Sequence, residues 1–182
     1  RRRTLNHPPP LWGRAGRGNP ERGRKGTATV IPTVGIPPAP LPSPDTALGY
    51  AAAAIESYEL FKKLRAEGVV PAGVRFQVSL PTPVAVVSVF FQGDDRIAIE
   101  PVYREALYKE LAEILEAIPH EDLSIQWDVA VEFGIIESVD YDSEFGSQFT
   151  AWWDNVWAGL IERAVDQAAQ VPADVELGFH LC

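Results

Sequence analysis

The segment LSIQWDVAV, residues 123–131, is the part of the sequence that is most informative about the fold. It is apolar at most positions and carries a single charge, at Asp128. Pro119 precedes it and ends a long amphipathic segment. A strand with so few charges is typical of one that is covered on both faces, as the strands of parallel sheets are. The sequence therefore predicts a buried, parallel β-strand here.

The pattern on either side of this strand predicts alternating helices and strands. Two further strands are predicted over residues 74–80 and 175–181, where apolar and polar residues alternate. Helical spacing of apolar residues predicts helices over 45–66, 84–91, 94–118 and 147–170. The resulting order, α-β-α-β-α-β with helical connections, is the signature of parallel βα units. Doubly wound sheets and barrels both fit that order.

Charge and composition divide the chain into two parts. Residues 1–26 hold eight of the 16 Arg and Lys residues and one acid, Glu21, whereas the rest of the chain holds eight bases and 24 acids. Residues 1–45 are rich in Pro, Gly and Arg and show no helical or strand period, which predicts a disordered basic leader before a folded region over 46–182. A basic arm for nucleic acid and a misassigned start are the two other interpretations of the leader. The acidic body excludes nucleic acid and anionic membranes as its expected partners.

Several absences narrow the class of protein further. No apolar run approaches the roughly 18 residues that a membrane-spanning helix needs. Cys182 is the single cysteine, so no internal disulfide framework is expected and a reducing, cytoplasmic location is predicted. The sequence contains no Met, so we expect it to be part of a longer reading frame.

Residues that can carry chemistry fall at the predicted carboxyl ends of the strands, where βα enzymes place their active sites. His180 and Cys182 are two residues apart on a strand, so their side chains share one side at a spacing of about 7 Å. Imidazole and thiolate are zinc ligands, and both can reach one ion. A packed His–Cys core pair is the alternative, and the remaining ligands of a zinc site would have to lie beyond residue 182.

Two carboxylates follow the central strand. Asp128 can bind a substrate ammonium or take a proton, or it can merely cap a helix. Glu132, expected in the loop beyond, can supply a second carboxylate. That loop is predicted to carry four further acids whose spacing does not match a calcium-binding loop and which form a solvated face: Glu137, Asp140, Asp142 and Glu144.

Three segments together resemble a known family: RFQVSLPTPVAVV at 75–87, LSIQWDVAVEFG at 123–134 and LGFHLC at 177–182. Over residues 46–182 the chain resembles the carboxy-terminal catalytic barrel of cobalamin-independent methionine synthase. It resembles still more the less characterised relatives in the uroporphyrinogen decarboxylase/methionine synthase-like superfamily. The resemblance implies an α/β fold, a partial TIM-type (β/α)8 barrel of about three βα units, truncated at its C-terminal end.

The resemblance also implies a function and a set of site residues. His180 and Cys182 match two zinc ligands of the family, in which zinc holds the homocysteine thiol as a thiolate for attack on a methyl-folate. Gln126 and Asp128 match the family's Q-x-D-E-P segment, which binds the amino acid substrate, whereas Val129 and Ala130 replace its Glu and Pro. The residues predicted to contact substrate are Gln126, Asp128 and Glu132, with Asp128 also the predicted catalytic residue.

The expected function is therefore that of a zinc-dependent methyltransferase-like protein acting on a small-molecule thiol and a methyl donor. Residues 1–182 alone are expected to be inactive, because half of the metal ligands and most of the barrel are missing. One alternative is a metal-free decarboxylase of the same superfamily, which would use arginines. Another is a non-catalytic fragment that self-associates or binds a partner through its open sheet edges.

Overall fold

A computed structural model describes Ser43 and residues 45–138 and 149–181. In chain order the elements are α1 (Tyr50–Ala66), β1 (Phe76–Pro81), α2 (Pro83–Phe90), α3 (Asp95–Ala117), a 3-10 turn (His120–Asp122), β2 (Leu123–Val129), α4 (Val131–Ser138), α5 (Val156–Ala169) and β3 (Glu176–Leu181). The protein is a mixed α/β structure, as the sequence predicts. None of the helices in the described ranges is both long and apolar enough to cross a membrane.

The strands form one open sheet in the order β1-β2-β3, and both pairs are parallel. This confirms the parallel βα units predicted from the order of elements. The register places Pro81, Asp128 and His180 side by side at the carboxyl ends of the three strands. Side chains from three separate segments therefore meet at one edge of the sheet.

The core lies on one face of this sheet. Leu80 and Trp127 are fully buried there, beside the buried Ile125. Leu107 and Leu111 of α3 belong to the same cluster, which also takes in buried residues of α1. Burying a side chain of this size contributes about 1.5–3 kcal/mol to stability. The helices of this face thus hold the strands in place through apolar contact.

The start of α1 differs from the prediction. The predicted helix starts at residue 45, but the helix begins at Tyr50 after Gly49, whose φ of 88° suits glycine. A carboxylate of α3 replaces the local cap: Glu110 accepts hydrogen bonds from the backbone N–H groups of Gly49 at 3.0 Å and Ala51 at 2.6 Å. A negative charge at a helix amino end is favourable, so α1 is fixed by a residue far away in sequence.

The segment after β2 also differs. The strand ends at Val129, and residues 131–138 form α4 rather than the end of a strand and an acidic loop. Glu132 lies in the first turn of this helix, where an acidic side chain is favoured. Glu137 lies on α4 as well. The other three acids of the predicted loop, Asp140, Asp142 and Glu144, lie outside the described residues.

The last helix begins later than residue 147. Asn155 caps α5, since its side-chain oxygen accepts a hydrogen bond of 3.0 Å from the Ala158 N–H. The residues before it fold back onto the helices: Trp152 donates to Glu100 of α3 at 2.6 Å. Trp153 lies so close to Gly159 that a Cβ at that glycine would approach the indole to 2.3 Å. The helix therefore starts at Val156, after the segment in which these two indoles pack against α3 and α5.

Two predictions fall outside the described residues. Of the predicted leader, residues 1–45, only Ser43 and Asp45 are described. Cys182, the predicted thiolate ligand, is not among the described residues either, since those end at Leu181. The leader and the thiolate ligand both stay predictions.

Candidate functional site

The face of the sheet opposite the core is polar and open. Strand alternation directs the buried Leu80 and Trp127 to one face and the neighbouring polar residues to the other. We call the side chains on that second face the polar ladder: Gln77 and Ser79 of β1, Gln126 and Asp128 of β2, and His180 of β3. Each of them is exposed or half-buried. Because these groups keep access to solvent, they can meet a ligand.

Gln126 lies at the centre of the polar ladder and joins its members. The amide nitrogen of Gln126 donates to Asp128 Oδ1 at 2.8 Å and to Ser79 Oγ at 3.2 Å. The amide oxygen of Gln126 accepts a hydrogen bond of 3.1 Å from the Gln77 side chain. These contacts cross from β1 to β2, so they fix the orientation of the Asp128 carboxylate before any ligand binds.

Asp128 and His180 form the outer end of the polar ladder. They are register partners at the carboxyl ends of β2 and β3, and Asp128 Oδ1 lies 3.3 Å from His180 Nδ1. Their side chains are 37% and 53% exposed, respectively. A carboxylate beside Nδ1 favours the tautomer that carries its proton there, which leaves Nε2 with a free lone pair. His180 is thereby prepared to bind a metal ion or accept a proton through Nε2.

Gly178 leaves space beside these groups. It is the register partner of Gln126, next to the Asp128–His180 pair. A Cβ added to Gly178 would come no closer than 4.0 Å to another atom, the carbonyl oxygen of Ile125. The surface over the middle of β3 is therefore free to accept part of a ligand.

The structure brings together three of the residues predicted from sequence and separates a fourth. Gln126, Asp128 and His180 share one face and contact one another. Glu132 was expected in a loop beside Asp128, and that placement is wrong: it lies in α4, is 7% exposed and accepts a hydrogen bond from the Thr82 hydroxyl. The cause is the helix that starts at residue 131, which directs Glu132 toward α2.

The described residues fit a zinc ion only in part. His180 has the carboxylate partner that metal-bound histidines usually have. Within the described ranges, however, no group of three or more His, Cys, Asp or Glu side chains could hold a metal. The described residues thus supply one zinc ligand, His180, and the carboxylate of Asp128 that orients it, but not a complete tetrahedral site.

Ser79 lies in a segment that the sequence places at the end of a strand, but neither Gln77 nor Ser79 was predicted to contact metal or substrate. Their signal was present, because they are the polar positions of an alternating strand, with Val78 between them and Leu80 after them. Alternation identifies which residues share the open face of a strand, but it does not show which strand lies beside it or in which register. The register that pairs Ser79 with Gln126 was needed to bring these two residues into the polar ladder.

Comparison with known proteins assigns no family: no protein-family model, curated protein or solved structure matches this chain.

Proposed function

We propose that the polar ladder is part of the active site of a zinc-dependent, methionine synthase-like methyltransferase. The intact enzyme would move a methyl group from a folate-type donor to a thiol such as homocysteine. The observation that carries the proposal is the contact between Asp128 and His180 at the carboxyl ends of adjacent parallel strands. This is the edge at which βα enzymes place their chemistry.

The distribution of helices supports a barrel as the parent architecture. In a (β/α)8 barrel the helices surround the outside of the sheet, and the other face lines the interior. Doubly wound sheets instead carry helices on both faces. Here the core with α1 and α3 covers the face of Trp127, whereas Gln126 and Ser79 on the other face stay accessible. Among the described residues the accessible polar groups of this face include Asp128 and His180 at the carboxyl ends of the strands, where a barrel of this type places its active site.

In this proposal His180 and Cys182 hold the metal, with further ligands from other parts of the intact enzyme. A bound zinc ion keeps a thiol deprotonated near neutral pH. Asp128 holds the His180 ring in one orientation and makes it a better donor. Gln126 in turn holds Asp128 through the hydrogen bond of 2.8 Å.

The remaining residues of the polar ladder would bind the polar part of the substrate. Gln77 and Ser79 offer an amide and a hydroxyl on the same face. The space over Gly178 lies across Gln126 from them, on β3, and can take a short side chain. An amino acid thiol has the size and the polar groups that such a surface can orient.

The decarboxylase alternative gains no support from Arg75 and Arg96, the two arginines nearest the predicted strand and helix starts. Arg75 donates to the carbonyl oxygens of His120 and Leu123, at the amino ends of the strands. Arg96 is buried and donates to the carbonyl oxygens of Phe91 and Ser88. These two guanidinium groups support the backbone and do not offer a pair of cations to a substrate carboxylate at the polar ladder.

Assembly through the open edges stays a prediction of its own. β1 and β3 are the two outer strands of the sheet. Unpaired edge strands are ready to pair with another chain. Light scattering over a range of protein concentrations tests this: a mass that rises with concentration supports assembly, and a constant monomer mass contradicts it.

Zinc titration of residues 1–182, followed through the NMR signals of the histidine rings, tests the proposed function. We expect zinc to shift the His180 signals and homocysteine to tighten zinc binding, since a thiol supplies a further ligand. His180→Ala should abolish the response. His120→Ala is the matched control, because His120 lies in the turn at the amino end of β2. No response at His180, or an equal loss in both variants, would contradict the proposal.

A further inference from the structure

A pocket lies on the core side of the sheet, away from the polar ladder, between α2, α4 and α5. Its volume is about 230 Å³. Val129 of β2 contributes to it from the apolar face of that strand. The rest of the wall is mainly apolar and includes Val84, Phe133, Ile136, Leu160 and Ala164. The polar residues of the wall are Glu132, Arg163 and Gln167, and an apolar pocket with a few polar groups is the usual form of a small-molecule site.

Glu132 is the acidic group of this pocket, and one of its oxygens has no partner. The residue is only 7% exposed. The Thr82 hydroxyl donates to Oε1, but Oε2 is buried without a hydrogen-bond partner. A buried, unpaired carboxylate oxygen costs free energy, and such groups in folded proteins usually meet a ligand, ion or water. The pocket therefore contains an acceptor that is ready for a donor from outside the chain.

The charges around Glu132 define which donor fits. Burial raises the pKa of the Glu132 carboxyl, although the Thr82 hydroxyl and the backbone at the start of α4 act in the opposite direction. Arg163 also lines the pocket, but it pairs with Glu100 at 2.5 and 2.7 Å and lies over the Trp153 ring. That guanidinium is therefore already paired, and the other described residues that line the pocket include no Lys, Arg or His.

We propose that this pocket binds a small primary amine with a compact apolar or aromatic body, whose ammonium group donates to Glu132 Oε2. The volume suits such a ligand, because a cavity of about 150 Å³ already holds benzene. An uncharged hydrocarbon would leave Oε2 unpaired, and a carboxylic acid would place a second acid beside Glu132. The site is separate from the polar ladder, so it does not depend on the proposed methyl transfer.

Calorimetric titration of the full chain with benzylamine tests this site, with benzyl alcohol as the uncharged analogue. We expect one benzylamine per chain and at least tenfold weaker binding of the alcohol. Glu132→Gln keeps the shape but removes the charge and should weaken benzylamine binding at least tenfold. Glu137→Gln is the matched control, since Glu137 is exposed on the same helix and its loss changes the net charge equally.

A second variant keeps the test decisive if Glu132→Gln fails to fold. Ala164→Leu adds bulk to the wall of the pocket and should abolish benzylamine binding while the far-UV circular dichroism stays unchanged. The proposal is overturned if benzylamine does not bind to the folded chain. It is equally overturned if benzyl alcohol binds as well, if Ala164→Leu leaves binding intact, or if a second copy of the chain occupies the pocket and excludes the amine.

Discussion

The two faces of β2 differ in burial, because alternate residues of this strand lie in the core and on an accessible polar surface. Ile125 and Trp127 are buried against the helices and make part of the core. Gln126 and Asp128, one position along, stay accessible and bond to residues of β1 and β3. Within the described residues, the face of Ile125 and Trp127 packs against helices, whereas the face of Gln126 and Asp128 keeps access to solvent. The side chains on the polar face form hydrogen bonds and close contacts that connect all three strands.

The largest expected effect on stability comes from truncating one residue on each face of β2 and comparing the two losses. Trp127→Ala removes a fully buried indole and should lower the free energy of unfolding by about 3–5 kcal/mol. Gln126→Ala, its neighbour, loses only half-exposed hydrogen bonds and should cost about 1 kcal/mol or less. Urea denaturation of both variants measures the two values. Similar losses would contradict the division between the faces.

The second prediction compares two acids of α3, Glu110, which bonds to the start of α1, and the exposed Glu113. Glu110 accepts hydrogen bonds from the backbone at the start of α1, so Glu110→Gln removes a charge and turns an acceptor into a donor. We expect a loss of about 2 kcal/mol in the free energy of unfolding, the order for hydrogen bonds to a charged group. Glu113→Gln, at an exposed position of the same helix, is the control and should change stability little.

The third prediction concerns the pH dependence of stability that results from the buried Glu132, which unlike Asp128 lies away from the accessible face of the sheet. Because burial raises the pKa of Glu132 above its ordinary 4.5, the folded protein holds that proton more tightly than the unfolded chain does. Stability from this residue is therefore full below pH 4.5 and is lost as the pH rises through the raised pKa. Glu132→Gln should gain stability relative to the wild type between pH 4 and pH 8, as followed by urea denaturation at each pH. A pH-independent difference would contradict the burial of an ionisable Glu132.

The smallest expected effect on stability lies at Gly178. Gly178→Val adds a side chain to open space and a better strand former, so stability should stay equal or rise by about 0.5–1 kcal/mol. The added side chain should nevertheless remove the effect of homocysteine on zinc binding, because it occupies the space proposed for the substrate. Thermal denaturation and the zinc titration report the two effects separately. Unchanged homocysteine binding would contradict this placement of the substrate.

The sequence predicted the three parallel strands because alternation and apolar runs are local signals. It also placed Gln126, Asp128 and His180 near one another, since the carboxyl ends of parallel strands meet. The errors have a common physical source in contacts between distant residues. Thr82 and Glu132, 50 residues apart, are joined by a hydrogen bond, and Glu110 caps a helix that starts 60 residues earlier.

A double-mutant cycle at Asp128 and His180, with zinc affinity as the measured quantity, tests whether Asp128 orients His180 for metal binding. If Asp128 acts by orienting His180, Asp128→Ala should weaken zinc binding 10- to 100-fold, the range for carboxylates behind a histidine ligand. The same substitution should then have no further effect in the His180→Ala background. Equal effects of Asp128→Ala in both backgrounds, or none in either, would contradict the coupling on which the proposed function rests.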